Sequence, residues 1–278
     1  MTNSVIDKTF GREAFGLDPA GYHAARPAYP DWVYEVLCER CGLRPNVPVF
    51  EIGAGTGIAT RRLLELGANP LMAIEPDDRL ADFLAKDIED EALTVIRSSF
   101  EDVVLPATFD LGFCATAFHW LNEETALMKV ADLLRPGGWW AMVWNVFGDP
   151  VRPDPFHEAS KLLLAGPMGP SGDDRNIPFA LDKEARLGAL ERANAFEDME
   201  YRAGEWSLVL DPDQTVNLYA TYSNINVRPD REAVLAELGR IAREEFNGRV
   251  TRNMTTCLYI ARRRSSGAKI SVGSTQKQ

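Results

Sequence analysis

Long apolar runs are absent from this sequence. No stretch reaches the roughly 18 consecutive apolar residues that a membrane-spanning helix requires. The polar residues at the start of the chain also lack the apolar core of a secretory signal peptide. These absences predict a cytoplasmic protein with no membrane partner.

Basic residues are also in short supply. The 278-residue chain has 30 Lys and Arg residues against 41 Asp and Glu residues, which gives a net charge of −11. Because affinity for nucleic acid depends largely on neutralising phosphates, this balance predicts that the protein has no nucleic-acid partner. A local basic groove stays compatible with the overall charge.

Cysteine and histidine are rare, with four and three residues respectively. Cys38 and Cys41 form a C-x-x-C pair, but no second pair follows, and both fall in a predicted amphipathic helix, Asp31–Cys41. Cys114 and Cys257 lie in apolar, strand-like runs. The cysteines are therefore predicted to be free, largely buried thiols, and no metal site is expected.

A glycine-rich turn joins a predicted buried strand to a predicted helix. The strand Pro48–Ile52 is followed by Gly53, Gly55 and Gly57, and a helical pattern then covers Ala59–Leu66. Closely spaced glycines let the backbone turn sharply and approach a ligand without side chains in the way. The N–H groups at the start of the helix would then face whatever lies over the turn.

A carboxylate follows at the end of the next predicted strand. Leu71–Ile74 forms that strand, and Glu75 comes directly after it, about 20 residues past the glycines. At this offset an acidic side chain reaches the ribose hydroxyls in nucleotide-binding α/β proteins. The two segments together predict a nucleoside-bearing cofactor across the carboxyl ends of a parallel sheet.

The glycine spacing favours one cofactor over another. A dinucleotide fingerprint is G-x-G-x-x-G, whereas this chain has G-x-G-x-G with Glu51 two residues before the first glycine. A carboxylate there would repel a pyrophosphate but could accept a hydrogen bond from an ammonium group. S-adenosylmethionine has an ammonium group, a ribose and an adenine but no phosphate. The structural alternative is a glycine-rich turn beside a solvated acid.

The segments Glu51–Gly57 (E-I-G-A-G-T-G) and Ala73–Asp77 (A-I-E-P-D) resemble the class I S-adenosylmethionine-dependent methyltransferases. The L-R-P-G-G run that starts at Leu134 also matches this family. The resemblance implies an α/β fold with a seven-stranded Rossmann-like sheet, mostly parallel with the last strand antiparallel. Helices on both faces and a small helical cap complete it. S-adenosylmethionine would be the methyl donor and S-adenosylhomocysteine its product.

Two further segments are similar to the subgroup that contains trans-aconitate methyltransferase. They are Tyr22–Pro30 (Y-x-x-x-R-P-x-Y-P) and Ala115–Trp120 (A-x-A-F-H-W). This resemblance implies a lid in which Tyr22 and Arg26 close over the methionine end of the cofactor. A guanidinium suits the cofactor carboxylate, although Arg26 is also compatible with an ordinary surface position. The resemblance does not cover the acceptor pocket and therefore implies no substrate.

The predicted cofactor site combines the lid, the glycine turn and the ends of three strands. Many relatives carry an acid at the position of Ser99 that contacts the adenine amino group, so this chain departs from the family there. Phe100 is expected to cover the adenine face, and Ser99 to offer its hydroxyl or backbone. The predicted cofactor-binding residues are Tyr22, Arg26, Glu51, Gly53, Ala54, Gly55, Gly57, Glu75, Pro76, Ser99, Phe100 and Ala115.

His119 is the candidate catalytic residue, because an imidazole titrates near neutral pH and lies where an acceptor would enter. The alternative is that His119 and Trp120 pack the start of the next helix; a carboxylate acceptor would need no base. If the acceptor were a polycarboxylate, Arg152, Arg175 or Arg228 should converge on it. The predicted substrate-binding residues are His119, Trp120, Trp144, Asn145, Phe147, Tyr219, Tyr222 and Asn224.

Changes in composition divide the chain into five parts. They are an N-terminal arm and lid (1–30), a cofactor-binding core (31–147), a cap insertion rich in Pro and Gly (148–192), a C-terminal part of the core with a helical substrate-side insertion (193–262) and a disordered tail (263–278). Met1–Phe15 is expected to be mobile. The sixth strand, Met199–Leu210, is expected to bulge near Gly204.

The preferred function is a small-molecule methyltransferase that transfers its methyl group in line to oxygen or carbon and acts as a monomer or homodimer. One alternative keeps the fold and cofactor but catalyses a non-methylating reaction on a natural product. Another is an RNA or protein methyltransferase, which the net charge disfavours. An NAD-dependent oxidoreductase is disfavoured by the glycine spacing and Glu51.

Overall fold

A seven-stranded sheet forms the centre of the computed structural model, which describes residues 14–165 and 177–265. The strands are β1 Val47–Ile52, β2 Ala68–Glu75, β3 Leu93–Arg97, β4 Phe109–Ala115, β5 Leu134–Phe147, β6 Phe196–Leu210 and β7 Val250–Arg263. Their order is β3-β2-β1-β4-β5-β7-β6. β1 to β5 run parallel, and β7 pairs antiparallel with β5 and β6. The predicted fold class is confirmed.

Ten α-helices within the described residues surround the sheet. They are α1 Pro19–Ala25, α2 Asp31–Glu39, α3 Ile58–Glu65, α4 Asp78–Asp87, α5 Glu123–Leu133, α6 Pro155–Ser160, α7 Lys183–Arg192, α8 Pro212–Ala220, α9 Ser223–Asn226 and α10 Arg231–Glu244. Short 3-10 helices cover Ala14–Leu17, Phe118–Trp120 and Phe179–Leu181. Among the residues that the structure describes, no helix has the length and apolarity needed to cross a membrane.

Apolar side chains cover both faces of the sheet. Because side chains alternate along a strand, Phe50 and Val49 of β1 enter different clusters. Phe50 packs with Trp140, and Val49 packs with Leu111. A third cluster, which includes Phe156, holds α8 and α10 together. The packed sheet fixes the carboxyl ends of its parallel strands at one edge.

Three α-helices, α1, α7 and the four-residue α9, were not predicted from the sequence. In α1, the side chain of Asp18 accepts a hydrogen bond from the N–H of Gly21 at 2.9 Å, and Pro19 occupies the first turn. The sequence predicts this segment only as part of a lid. In α7, the buried residues are Arg186, Ala189 and Leu190. So narrow an apolar stripe gives little helical periodicity to detect.

The prediction of a bulge near Gly204 is wrong. Gly204 pairs in regular register with Thr256, and the register shift of β6 lies between Glu197 and Glu200. A Cβ atom at position 204 would lie 2.8 Å from Trp32 Nε1, so glycine makes room for an indole ring. The observed β2 and β6 also begin earlier than the predicted strands Leu71–Ile74 and Met199–Leu210.

Much of the predicted arm, cap loop and tail lies outside the described residues. The segments concerned are 1–13, 166–176 (with Arg175) and 266–278. At the edges of these segments the predictions need correction. Phe15 packs edge-on against Tyr22 and Trp120, with ring centroids 5.9 and 5.7 Å apart. β7 continues through Arg263 into the predicted tail. The division of the chain at 148–192 and 193–262 stays a prediction.

Candidate functional site

A cavity of about 350 Å³ opens where β1, β2, β4 and β5 end. In an open α/β sheet this edge is where ligands bind. One part of the wall is formed by the glycine turn and the tip of β2, and another by aromatic side chains from β5 and its neighbours. The arrangement joins the predicted cofactor and acceptor sites in one space.

Two of the three glycines in the turn face this cavity. Gly53 and Gly55 line it, with φ angles of 67° and 58° that favour glycine. A Cβ atom on Gly53 would lie 2.4 Å from the Cβ atom of Ala117. At Gly57 a Cβ atom would instead lie 2.5 Å from Leu84 Cδ1. Gly57 therefore serves the close packing of α3 and α4, while Gly53 and Gly55 bring the backbone to the ligand.

Glu75 is held rigidly at the tip of β2, where it lines the cavity while being only 5% exposed. Its Oε2 atom accepts the N–H of Gly55 at 2.8 Å, and its Oε1 atom accepts the N–H of Asp77 at 3.0 Å. A carboxylate oxygen can accept more than one hydrogen bond. The oriented pair of oxygens can therefore also receive two neighbouring hydroxyls of a ribose.

Apolar groups beside Glu75 form a slot suited to a flat ring. Phe100 lines the cavity and lies parallel to Phe50, with ring centroids 6.3 Å apart and an interplanar angle of 6°. Pro76 and Leu80 line the same part of the cavity. This slot lies next to the Glu75 carboxylate.

Four predicted cofactor-binding residues do not line the cavity: Glu51, Ala54, Gly57 and Ser99. Ala54 packs into a small apolar cluster, and the Ser99 hydroxyl donates to Asp102 Oδ2 at 2.6 Å. The structure therefore does not place these four residues in contact with a ligand in the cavity. The predicted residues that do line the cavity are Tyr22, Arg26, Gly53, Gly55, Glu75, Pro76, Phe100 and Ala115.

Glu51 is buried behind the glycine turn and does not line the cavity. The predicted contact of its side chain with the cofactor ammonium group is therefore wrong. Glu51 is 1% exposed, its Oε2 atom accepts the Thr60 hydroxyl at 2.6 Å, and its buried Oε1 atom has no hydrogen-bond partner. Burial raises the pKa of Glu51 to about 8, and the negative charge of Glu75 adds to this while the Thr60 hydrogen bond opposes it. The carboxyl therefore binds a proton in the folded protein at neutral pH.

We expect Glu51→Gln to remove a pH-dependent loss of stability. The pKa of Glu51 is raised in the folded state, so its contribution to stability is full below about pH 4 and is lost as the pH rises to about 8. The advantage of Gln should grow across this window to on the order of 5 kcal/mol and stay level above it. Thermal unfolding between pH 5 and 9 measures this, with exposed Glu65→Gln as the control. Parallel curves for wild type and Glu51→Gln would contradict the expectation.

The segment after α1 crosses the ends of β4 and β5. The Tyr29 hydroxyl is 2.7 Å from the Thr116 hydroxyl, and the Asn145 side-chain amide donates to the Ala28 carbonyl at 3.1 Å. His23, on α1, lies 3.1 Å from the Thr56 hydroxyl of the glycine turn. These contacts join the N-terminal segment to both halves of the cavity.

Arg26 lies within an aromatic cluster at the β5 side of the cavity. Its guanidinium carbon is 5.1 Å from the ring centre of Tyr22, 5.0 Å from that of Tyr222 and 5.9 Å from that of Phe147. Its Nη2 atom donates to the Thr221 carbonyl at 3.1 Å, and its buried Nε atom has no hydrogen-bond partner. Arg26 is the sole Lys or Arg side chain in the described lining of the cavity.

His119 stands in the aromatic part of the wall. Trp144 Nε1 donates to His119 Nδ1 at 3.2 Å. The imidazole centre lies 5.3 Å from the Trp120 ring centre and 6.1 Å from that of Phe179. The predicted substrate-binding residues that line the cavity are His119, Trp120, Trp144, Asn145, Phe147, Tyr222 and Asn224.

Tyr219 does not line the cavity, contrary to the prediction. It is 1% exposed, and its hydroxyl contacts the guanidinium of buried Arg252. The candidate arginines for a polyacid are also engaged elsewhere. Arg152 pairs with Glu205 at 3.0 Å and Arg228 with Asp230 at 2.8 Å. Neither arginine lines the cavity, so the two converging arginines that a polyacid would need are not found in the described part of it.

Several lining residues were missed by the sequence analysis. Thr116 and Ala117 directly follow β4, so the rule that ligands bind at strand ends could have identified them. Phe179 reaches the cavity from a 3-10 helix far along the chain, and nothing in its local sequence indicated this. The missed lining residues include Phe15, Leu80, Glu101, Thr116, Ala117, Pro178 and Phe179.

The cysteines are free thiols, and burial raises the pKa of Cys38, Cys41, Cys114 and Cys257. Within 14–165 and 177–265, no group of three or more His, Cys, Asp or Glu side chains is placed to hold a metal ion.

Residues 50–142 match the family model described as a methyltransferase domain. An uncharacterized methyltransferase-like protein of Schizosaccharomyces pombe is 29% identical, over 83% of this chain and 86% of that protein. An uncharacterized methyltransferase of Mycobacterium tuberculosis is 30% identical, over 51% of this chain and 65% of that protein. This chain thus spans less than two thirds of the second relative's length.

Solved structures agree on the fold. The 4+2-cyclase SpnF has a TM-score of 0.61 at 14% identity, covering 95% of this chain and 99% of that chain. Haemonchus contortus phosphoethanolamine N-methyltransferase 2, in complex with S-adenosyl-L-methionine, has a TM-score of 0.56 at 12% identity, covering 90% of this chain and 57% of that chain. The chain has the Rossmann-like fold of methyltransferases, and its sequence relatives support methyltransferase activity.

Proposed function

We propose that this chain is an S-adenosylmethionine-dependent methyltransferase that transfers a methyl group in line to an oxygen or carbon atom of a small molecule. The observation that carries the proposal is the geometry of Glu75. Its two oxygens are fixed by the backbone of Gly55 and Asp77 and face a cavity floored by Gly53. This geometry suits a ribose, and the neighbouring apolar slot suits an adenine.

The proposed roles of the residues follow from their places in the cavity. Glu75 binds the ribose hydroxyls, while Phe100, Pro76 and Leu80 enclose the adenine. Bound S-adenosylmethionine supplies a methyl group that is already activated on a sulfonium. The chain itself contributes alignment and the exclusion of water, to which the aromatic wall around Trp144 is suited.

The glycine spacing supports this cofactor over a dinucleotide, because the turn reads G-x-G-x-G where a dinucleotide fingerprint is G-x-G-x-x-G. Basic side chains are scarce around the cavity: the one guanidinium in the described lining, Arg26, is on the β5 side next to Phe147 and Tyr222. A small-molecule acceptor is supported over RNA by the same scarcity of basic side chains and by the net charge of −11. A cytoplasmic location and a monomer or homodimer remain part of the proposal.

A finer placement within the family is also proposed. The segments Tyr22–Pro30 and Ala115–Trp120 support the subgroup that resembles trans-aconitate methyltransferase. Both segments border the cavity, where Tyr22, Arg26 and His119 line it. The placement concerns the architecture of the lid and implies nothing about the acceptor.

Calorimetry with the purified full chain tests the proposal. We expect saturable binding of S-adenosylmethionine and S-adenosylhomocysteine and no binding of NAD⁺. With methyl-labelled S-adenosylmethionine and a fraction of small metabolites, label should move to a small-molecule product. Metabolite conversion without label transfer would instead support a non-methylating reaction. Absence of S-adenosylhomocysteine binding would reject the proposed cofactor.

A further inference from the structure

The hydrogen bond between Trp144 and His119 determines which imidazole nitrogen bears the proton. An indole N–H can only donate, so His119 Nδ1, 3.2 Å from Trp144 Nε1, must accept with its lone pair. A neutral imidazole has one proton on its two nitrogens. In His119 that proton is therefore on Nε2.

The surroundings keep the Trp144 indole in this position. Trp144 is 3% exposed and belongs to β5, where its backbone is in register with Cys257 of β7. Its ring is edge-on to Tyr259 at 6.2 Å and lies 5.8 Å from the ring centre of Phe179. A rotation that released His119 Nδ1 would have to displace this packing. The sheet thus holds the donor in place, and the donor selects the tautomer.

This tautomer is unsuited to a general base. To accept a proton at Nε2, the ring would need its own proton on Nδ1, where the indole N–H already points, and two donors would face each other. We propose, on the basis of the proposed function, that His119 donates a hydrogen bond from Nε2 to the acceptor. Trp144 is then a positioning residue that fixes the tautomer.

A site that offers a hydrogen-bond donor but no general base favours methyl acceptors that are already deprotonated when they bind. An anionic oxygen forms the new bond to the methyl carbon, the carbon–sulfur bond breaks, and its electron pair goes to sulfur, which leaves as a neutral sulfide. No proton moves in this step, so none has to be removed. Carboxylates and acidic enols meet the requirement at neutral pH, whereas simple alcohols do not.

The remaining wall narrows the acceptor class further. Arg26 has a buried Nε atom without a hydrogen-bond partner and contributes the one full positive charge in the described lining. The surfaces around it are mostly aromatic and include Trp144, Phe147 and Phe179. Because Arg26 lies next to Phe147 and Tyr222 on the β5 side, we assign its charge to the acceptor rather than to the cofactor carboxylate that the family resemblance implied. One charge and apolar walls fit a compact acid with one anionic oxygen group and an apolar or flat body, rather than a polyacid.

Nitrogen-15 NMR reads the tautomer directly. With histidine labelled in the S-adenosylhomocysteine-bound protein, three imidazoles are observed, and His23→Gln and His157→Gln assign two of them. With the imidazole neutral, His119 should show a protonated Nε2 and a lone-pair Nδ1. Trp144→Phe should admit a fraction with the proton on Nδ1. A proton on Nδ1 in the wild type, or an unchanged ratio in Trp144→Phe, would overturn the assignment.

Binding of acid and amide pairs tests the donor role. With S-adenosylhomocysteine saturating, cinnamate should bind at least about tenfold more tightly than cinnamamide. His119→Gln, which keeps a donor but cannot act as a base, should retain that preference, and His119→Phe should lose the part of it that exceeds the contribution of the Arg26 charge. No acid preference in the wild type, or equal loss in both variants, would overturn the inference. S-adenosylhomocysteine affinity, measured in parallel, separates this failure from a failure of the proposed function.

Discussion

Glu75→Ala should reduce the affinity for S-adenosylhomocysteine by about 100-fold or more. Its carboxylate is the one group at the tip of β2 with two oxygens oriented by backbone N–H donors, from Gly55 and Asp77. Each hydrogen bond from a ligand hydroxyl to a charged acceptor contributes about 1.5–3 kcal/mol, so loss of two accounts for this factor. Calorimetry of the variant against the wild type measures the change.

Two further variants make this prediction specific. Glu75→Gln keeps a side-chain carbonyl that can accept from the backbone, so it should fold like the wild type yet still bind the ligand weakly. Asp78→Ala removes an exposed carboxylate only three residues away, in the first turn of α4, and should leave affinity within about twofold. Unchanged affinity in Glu75→Ala would remove the main support for the ribose assignment.

Asp154→Ala is expected to cost about 3–5 kcal/mol of unfolding free energy. Asp154 Oδ2 pairs with Arg252 Nε at 2.9 Å, and the two side chains are 2% and 1% exposed. The same carboxylate accepts the N–H of His157 at 2.7 Å and that of Asn253 at 3.1 Å. The substitution therefore leaves a buried guanidinium without its counter-ion and removes the N-cap of α6.

Chemical denaturation measures this loss, and its controls separate charge from packing. Arg240→Ala removes exposed ion pairs on α10 and should leave the unfolding free energy nearly unchanged. The double variant Asp154→Leu/Arg252→Met replaces both charges with apolar groups and should recover much of the stability lost by Asp154→Ala. A loss below about 1 kcal/mol in Asp154→Ala would show that Arg252 is solvated in the folded protein.

The Asp154–Arg252 pair also supports the acceptor side of the cavity. Arg252 lies 5.9 Å from the ring centre of Phe147, whose ring is also 5.9 Å from the guanidinium of Arg26. One guanidinium is buried and structural, and the other borders the cavity. Tyr219 is buried and contacts Arg252, the structural guanidinium. It therefore packs behind the cavity wall and does not line the cavity.

The geometry of the proposed cofactor half of the site was predictable because it is local. A strand, a glycine turn and a helix follow one another directly, and Glu75 ends the adjacent parallel strand, so Gly53 and Glu75 meet at one edge in any sheet of this type. The same reasoning failed for Glu51. Its position in β1 was correct, but the direction of its side chain, toward Thr60 and away from the cavity, depends on how the strand faces the helix.

The geometry of the proposed acceptor half was determined by tertiary contacts. Sequence alone placed His119 at a strand end but left its role open, because the tautomer depends on Trp144, 25 residues later and on a different strand. Phe179 reaches the cavity from a 3-10 helix that follows β5 in the chain, and its ring lies near His119. Arg26 donates a hydrogen bond to the Thr221 carbonyl, 195 residues later in the chain. Local sequence determines strand ends and turns through backbone geometry. Which side chains then face one another depends on packing between distant elements, and a single sequence does not show that packing.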